Sequence, residues 1–321
     1  TARLPLDRPV PASGYASRTV QRAALNLLPR FVPSSTSEET SKASAPSTHS
    51  HASTDSSSLV SVKTNVMHAL IDLKTGDLVQ ASLPDYSISL QQPDTPVQIL
   101  SREKGAQYQL QSGIIDSNSQ PPKITFTADK SSYVLQSGDD TLTVILRGKS
   151  DELLVEKHYE FSRDSYHATL TTTVTNQGSK PWKGQWYQQI MRQNVPSSTH
   201  HIRSYDGAAI SSPKTPYKKI SFSDMDKSAI NQSITDGWVA MQQPYFVTAW
   251  VPPTKQQYQY YSHVASTGTG SADLYTIGFM SQPWTINAGK QQQQISQLYI
   301  GPEIAKDLNP VAPALKLTID Y

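Results

Sequence analysis

The sequence predicts an all-β chain built as one large antiparallel β-sandwich with a short helical element near its C-terminus. Three observations carry that expectation. From Leu59 onward apolar residues recur with a period of two. Gly, Pro, Asn and Asp punctuate nearly every interval between these runs. Only Arg18–Leu28 and Pro302–Leu308 have a helical pattern. Successive side chains of a strand face opposite ways, so a period of two lets one face be buried while the other stays wet.

The elements follow in order. Met67, Ala69, Ile71 and Leu73 alternate with His68, Leu70 and Asp72 up to the turn Lys74-Thr75-Gly76-Asp77, and Val79, Ala81 and Leu83 resume the alternation. The pair reads as a hairpin. Ile124 and Phe126 make a short strand, and Leu142, Val144 and Leu146 another. Leu153, Val155, Tyr159 and Phe161 precede Tyr166, Ala168, Leu170 and Val174 across the turn Ser162-Arg163-Asp164-Ser165. Further strands are expected at Tyr245–Val251, Gln257–Val264, Leu274–Met280, Ile295–Ile300 and Leu315–Ile319. In Pro302–Leu308 the proline suits a helical first turn and Glu303 follows it. No Ser/Gly linker interrupts residues 59–321, which favours one sandwich over two small domains.

The chain has 321 residues, of which 36% are hydrophobic. That low fraction implies a very polar surface or a part that never packs. Residues 33–58 supply such a part: more than half are Ser or Thr, a composition expected of a flexible tether. Residues 1–32 are punctuated by Pro and Arg and read as a poorly structured or foreign leader. A net charge of +2 with interspersed signs argues against a nucleic-acid groove, which needs clustered cations. The absence of cysteine excludes disulfides and thiolate metal sites. No stretch approaches the roughly eighteen apolar residues of a membrane span, and residues 1–30 contain no apolar core of a secretory signal.

Chemical motifs are few. His49 and His51 lie in the tether, while His68, His158, His167 and His263 fall in strands and read as solvated surface residues. The adjacent pair His200-His201 points to opposite sides of an extended chain, which disfavours shared ligation. No metal or cofactor site is expected. Asp139-Asp140 and Asp151-Glu152 sit at turns. Aromatic clusters at Trp182–Trp186–Tyr187, Tyr245-Phe246–Trp250 and Tyr258–Tyr260-Tyr261 suit either exposed platforms for sugars or proteins, or ordinary half-buried sheet surface.

Residues 59–321 resemble the large periplasmic domain of the YidC membrane-protein insertases of Gram-negative bacteria. The likeness lies in Ser61-Val62-Lys63-Thr64-Asn65-Val66, Gly76-Asp77 and Leu83-Pro84-Asp85-Tyr86. It continues in Asp236-Gly237-Trp238-Val239-Ala240-Met241-Gln242-Gln243 and Tyr245-Phe246-Val247-Thr248-Ala249-Trp250-Val251-Pro252. Ser281-Gln282-Pro283, Gly301-Pro302-Glu303-Ile304 and Val311-Ala312-Pro313 complete it. The resemblance implies a galactose-mutarotase-like supersandwich, held in the periplasm and joined to the inner membrane through segments outside this chain. It implies a non-catalytic scaffold that contacts the Sec accessory subunits (SecDF) and SecYEG, with nascent inner-membrane proteins reached through the full-length protein. The implied partner region corresponds to Ile202–Pro252, with Tyr217, Lys218, Lys219, Trp238, Tyr245 and Phe246 as candidate contacts. Pro302, Glu303 and Ile304, within Pro302–Pro313, are the implied coupling to the membrane part. A sugar-binding module or aldose-epimerase-like enzyme is the alternative that the same fold analogy raises.

Overall fold

A computed structural model describes residues 58–195, 205–266 and 273–319. The leader with its expected helix Arg18–Leu28, nearly all of the tether, and His49, His51, His200 and His201 lie outside them. In chain order the first strands are β1 (Leu59–Lys63), β2 (His68–Asp72), β3 (Asp77–Ser89), β4 (Gln92–Leu100) and β5 (Tyr108–Asp116). Next come β6 (Thr125–Ala128), β7 (Ser132–Val134), β8 (Thr141–Lys149), β9 (Leu153–Ser162) and β10 (His167–Asn176). Then follow β11 (Trp182–Gln193), β12 (Gly207–Ser211), β13 (Lys218–Ile220), helix α1 (Phe222–Lys227), β14 (Asn231–Thr235) and β15 (Trp238–Gln243). The last are β16 (Phe246–Val251), β17 (Gln257–Ala265), β18 (Leu274–Ser281), β19 (Trp284–Ile286), β20 (Gln291–Pro302), helix α2 (Ala305–Leu308) and a 3-10 turn at Leu315–Thr318.

Two sheets result. The first runs β14-β17-β18-β11-β5-β3-β2-β1-β7, with β19 beside β11 and β4 beside β3. The second runs β13-β12-β15-β16-β20-β10-β9-β8-β6. β1 and β7 pair in parallel, whereas the long strands pair antiparallel. The alternation explains the layering. On β10, Ala168, Leu170 and Val174 turn inward and are buried, while Thr169, Thr171, Thr173 and Thr175 face out. Between the sheets lie Tyr159, Trp238, Trp250, Tyr258, Tyr260, Phe279 and Tyr299. Cross-sheet bonds include the 2.6 Å contact of the Tyr108 and Thr248 hydroxyls and Trp250 Nε1–H to the Gln189 carbonyl at 3.1 Å.

Three expectations change. Leu315–Ile319 is not a strand: it folds as a 3-10 turn after Ala314, whose φ of 65° redirects the chain, and Leu315 and Thr318 share its buried side. Pro302 does not open a helix. It ends β20 opposite Phe246, and α2 starts three residues later. Helix α1 was not expected; Ser221 and Asp224 form a reciprocal capping box that starts it. Part of the polar composition is also internal, since Gln111, Gln188, Gln189, Gln193, Gln242 and Gln294 are buried.

Candidate interaction surface and interior polar sites

Lys157 occupies an inward position of β9, between the buried Val155 and Tyr159, and is 1% exposed. Its Nζ donates to Ser112 O at 2.8 Å, Ser112 Oγ at 3.0 Å, Gly76 O at 3.3 Å and Thr75 O at 3.4 Å. It also lies 3.6 Å from Asp77 Oδ1, which accepts the Ser112 N–H at 3.0 Å. The cluster therefore ties β9 of the second sheet to β3 and β5 of the first. Burial pushes the Asp77 carboxyl up and the Lys157 amine down, and each charge opposes its partner's shift. The cluster floors a cavity of about 420 Å³ whose walls include Ile114, Pro121, Ile124, Phe126 and Tyr187. That lining holds no carboxylate or imidazole; beside the sealed Lys157 amine it carries the exposed Lys74 and Lys123 with apolar and hydroxyl groups.

A second polar cluster lies on the face of β11 opposite Ile190. Gln189 Nε2 donates to Gln111 Oε1 at 2.9 Å, and Tyr261 Oη donates to Gln189 Oε1 at 2.8 Å. It adjoins a small apolar group of Ile115, Tyr187, Tyr261 and Met280. The aromatic clusters read from the sequence are thus mostly interior. Trp186, Tyr187, Trp250, Tyr258, Tyr260 and Tyr261 are all buried. Among the histidines, His68 is exposed, but His158, His167 and His263 are half-buried, and burial lowers the His263 imidazole below its usual range. Among the described residues no three His, Asp or Glu converge to hold a metal ion.

The candidate contact residues separate by burial. Lys218 and Lys219 are exposed on β13, and Lys219 Nζ sits 4.8 Å from the Tyr205 ring centroid. Tyr245 is 69% exposed at a φ of 71° in the turn between β15 and β16. Trp238 is 1% exposed, with Nε1–H donated to Pro313 O at 3.0 Å, and Phe246 is buried against Tyr86. A side chain so enclosed offers a partner no surface, so Trp238 and Phe246 leave the contact set and serve the core.

Sequence reasoning missed Gln242, which joins the two predicted groups. Its Oε1 accepts the Tyr217 hydroxyl at 2.6 Å. Its Nε2 donates to Glu303 Oε1 at 3.2 Å and Thr318 O at 2.7 Å. Glu303 N–H also donates to Tyr245 O at 2.8 Å, and Ile304 caps α2. The Tyr217 segment, just ahead of β13, and the Pro302–Ile304 segment therefore meet. Beside them, β13 and β14, the terminal strands of the two sheets, flank a groove of about 620 Å³ lined by Ser212, Lys214, Lys218, Gln232 and Ser233.

The family model described as YidC periplasmic domain matches residues 59–321, the whole sandwich. The chain belongs to this family. Its relatives include the membrane protein insertase YidC of Coxiella burnetii (strain Dugway 5J108-111), 41% identical over 321 residues, 99% of this chain and 56% of that protein. The insertase of Legionella pneumophila (strain Paris) is 37% identical, covering 92% of this chain and 53% of that protein. The chain thus spans about half the length of these relatives. In fold it is similar to a galactose mutarotase-like protein from Lactobacillus casei, with a TM-score of 0.50 at 9% identity over 75% of this chain and 99% of that one. That likeness agrees with the expected supersandwich and speaks to fold alone. Among the described residues no helix is long and apolar enough to cross a membrane.

Proposed function

We propose that residues 59–321 act as a non-catalytic, periplasmic scaffold of a membrane-protein insertase. In this reading the groove between β13 and β14 docks a Sec accessory subunit (SecDF), while SecYEG and nascent inner-membrane proteins are engaged through the rest of the protein. One observation carries it. Within Ile202–Pro252, two terminal strands bracket a groove walled by the exposed Lys214 and Lys218. An open strand edge offers main-chain pairing to an extended segment, and the lysines favour an acidic one.

Deleting Ile202–Pro252 is a poor test, because it removes β12 to β16 together with core residues Trp238 and Trp250. The double reversal Lys214→Glu/Lys218→Glu keeps the core. Binding to the purified accessory subunits is expected to weaken about tenfold and to lose its salt dependence. Unchanged affinity would reject the groove as the docking site. The sugar-binding or epimerase alternative rests on the fold likeness, and epimerisation needs an acid and a base flanking a ring. Saturable glycan binding, or mutarotation above background, would restore it.

A further inference from the structure

The β3–β4 hairpin outruns the sheet that carries it. β3 pairs with β2 only as far as Ser82. Beyond that point its pairings are with β4 alone, at Leu83↔Val97, Ser87↔Pro96 and Ser89↔Gln92. From Pro84 to Pro96 every residue is exposed except the half-buried Tyr86 and Ser89. A lone two-stranded ribbon is marginal in water, yet this one ends in Ile88, 49% exposed, and Leu90, 94% exposed. At its base Tyr86 packs edge-on against Phe246 at 5.4 Å. The ribbon therefore leaves the molecule beside the exposed Tyr245, at the end where Gln242 holds Thr318 next to the exposed Leu317.

Several features choose the occupant. Tyr86 to Pro93 carry no charge, so burying the tip desolvates only hydroxyls and amides. Asp85 and Asp94 bound this stretch, which folds back on itself to reach about 13 Å. Pro84, Pro93 and Pro96 deny the ribbon edge N–H groups, which disfavours strand addition by another protein. Ile88 and Leu90 belong to the ribbon tip, Tyr245 to the β15–β16 turn and Leu317 to the 3-10 turn, and a fluid bilayer meets such separate elements without a matching shape. Tyr245 has the amphipathic ring that settles at headgroup level.

We propose that this end of the sandwich docks on a lipid bilayer, with Ile88 and Leu90 inserted below the headgroups and Tyr245 among them. The groove between β13 and β14 plays no part in the argument, so either reading can fail alone. The cysteine-free chain accepts a single label, so Leu90→Cys carrying an environment-sensitive fluorophore reports insertion directly. With vesicles of phosphatidylcholine and phosphatidylglycerol its emission is expected to shift blue and to be quenched by brominated acyl chains. Leu90→Asp in the full chain should weaken vesicle partition about tenfold. Val134→Ser, at an exposed site on β7, should leave partition unchanged. An unshifted probe, equal partition of the Leu90 and Val134 variants, or binding abolished by high salt would each overturn the proposal.

Discussion

Replacing Lys157 by Met tests what the buried cluster contributes. The substitution keeps most of the side-chain volume but removes the cation beside Asp77, which is 2% exposed. Asp77 then keeps the Ser112 N–H at 3.0 Å and has lost its counter-charge. Stranding a buried charge costs about 3–5 kcal/mol. Asp77→Asn is the milder lesion, because Lys157 retains the oxygens of Thr75, Gly76 and Ser112 as acceptors. It should cost about 1–3 kcal/mol. The double variant should fall short of the sum, since neither charge is left alone. Without Lys157 the carboxyl rises further above its unfolded value of about 3.9. A group raised in this way stabilises fully below that value and loses the contribution as pH climbs through the folded pKa. Lys157→Met should therefore be less stable at about pH 8 than at about pH 5. Urea unfolding across that range measures both effects. Equal costs for the two single variants, with no pH dependence, would show that packing rather than an orphaned charge sets the loss.

Trp238→Ala should cost about 3–5 kcal/mol by urea unfolding and, by freeing Pro313 O, speed hydrogen exchange at the amides of residues 314–319. Gly237→Ala brings a Cβ to 2.2 Å from the Ser211 carbonyl oxygen, which the β12–β15 pairing holds in place. A loss of about 1–3 kcal/mol is expected. His263 is held neutral by burial, and the unfolded chain protonates near about pH 6.5. Its contribution is present above that value and is lost as pH falls towards the lowered folded one, so His263→Gln should flatten the acid limb of stability against pH.

The β9–β10 hairpin was legible because one of its faces is wet. Thr169, Thr171 and Thr173 mark the outer side as plainly as Ala168, Leu170 and Val174 mark the inner. β5 and β11 were not legible. They lie inside the first sheet with both faces largely buried, so alternation gives no signal, and their glutamines mimic a surface. Gln188 Nε2 donates to Gln294 Oε1 at 2.6 Å, and Gln294 Nε2 to the Tyr258 hydroxyl at 2.8 Å, pairings between residues far apart in the chain. The same holds at the candidate site. Tyr217–Lys219 and Pro302–Ile304 came from the resemblance as separate segments, and only the fold brings them together at Gln242. Trp238 entered the contact set with its segment through the resemblance, and its bond to Pro313, far along the chain, is visible only in the fold. For Lys157 the available signal was a lysine at an inward position of an otherwise apolar alternation.

The order of assembly follows from where β20 lies. Ala168 of β10 pairs with Phe161 on one side and with Leu298 on the other, and β16 also waits for β20 to fill its second edge. A chain emerging from the ribosome N-terminus first thus completes β6, β8, β9 and β10 as one half of a sheet and β12, β13, β15 and β16 as another. The strand that welds them arrives late. Such distant pairing places folding in the millisecond-to-second range, with two raw edges open meanwhile to the wrong neighbour. Residues 313–318 then fasten to β15, the neighbour of β16, through Trp238 and Gln242. A truncation there would leave every described strand in place and still take from the second half its last fastening.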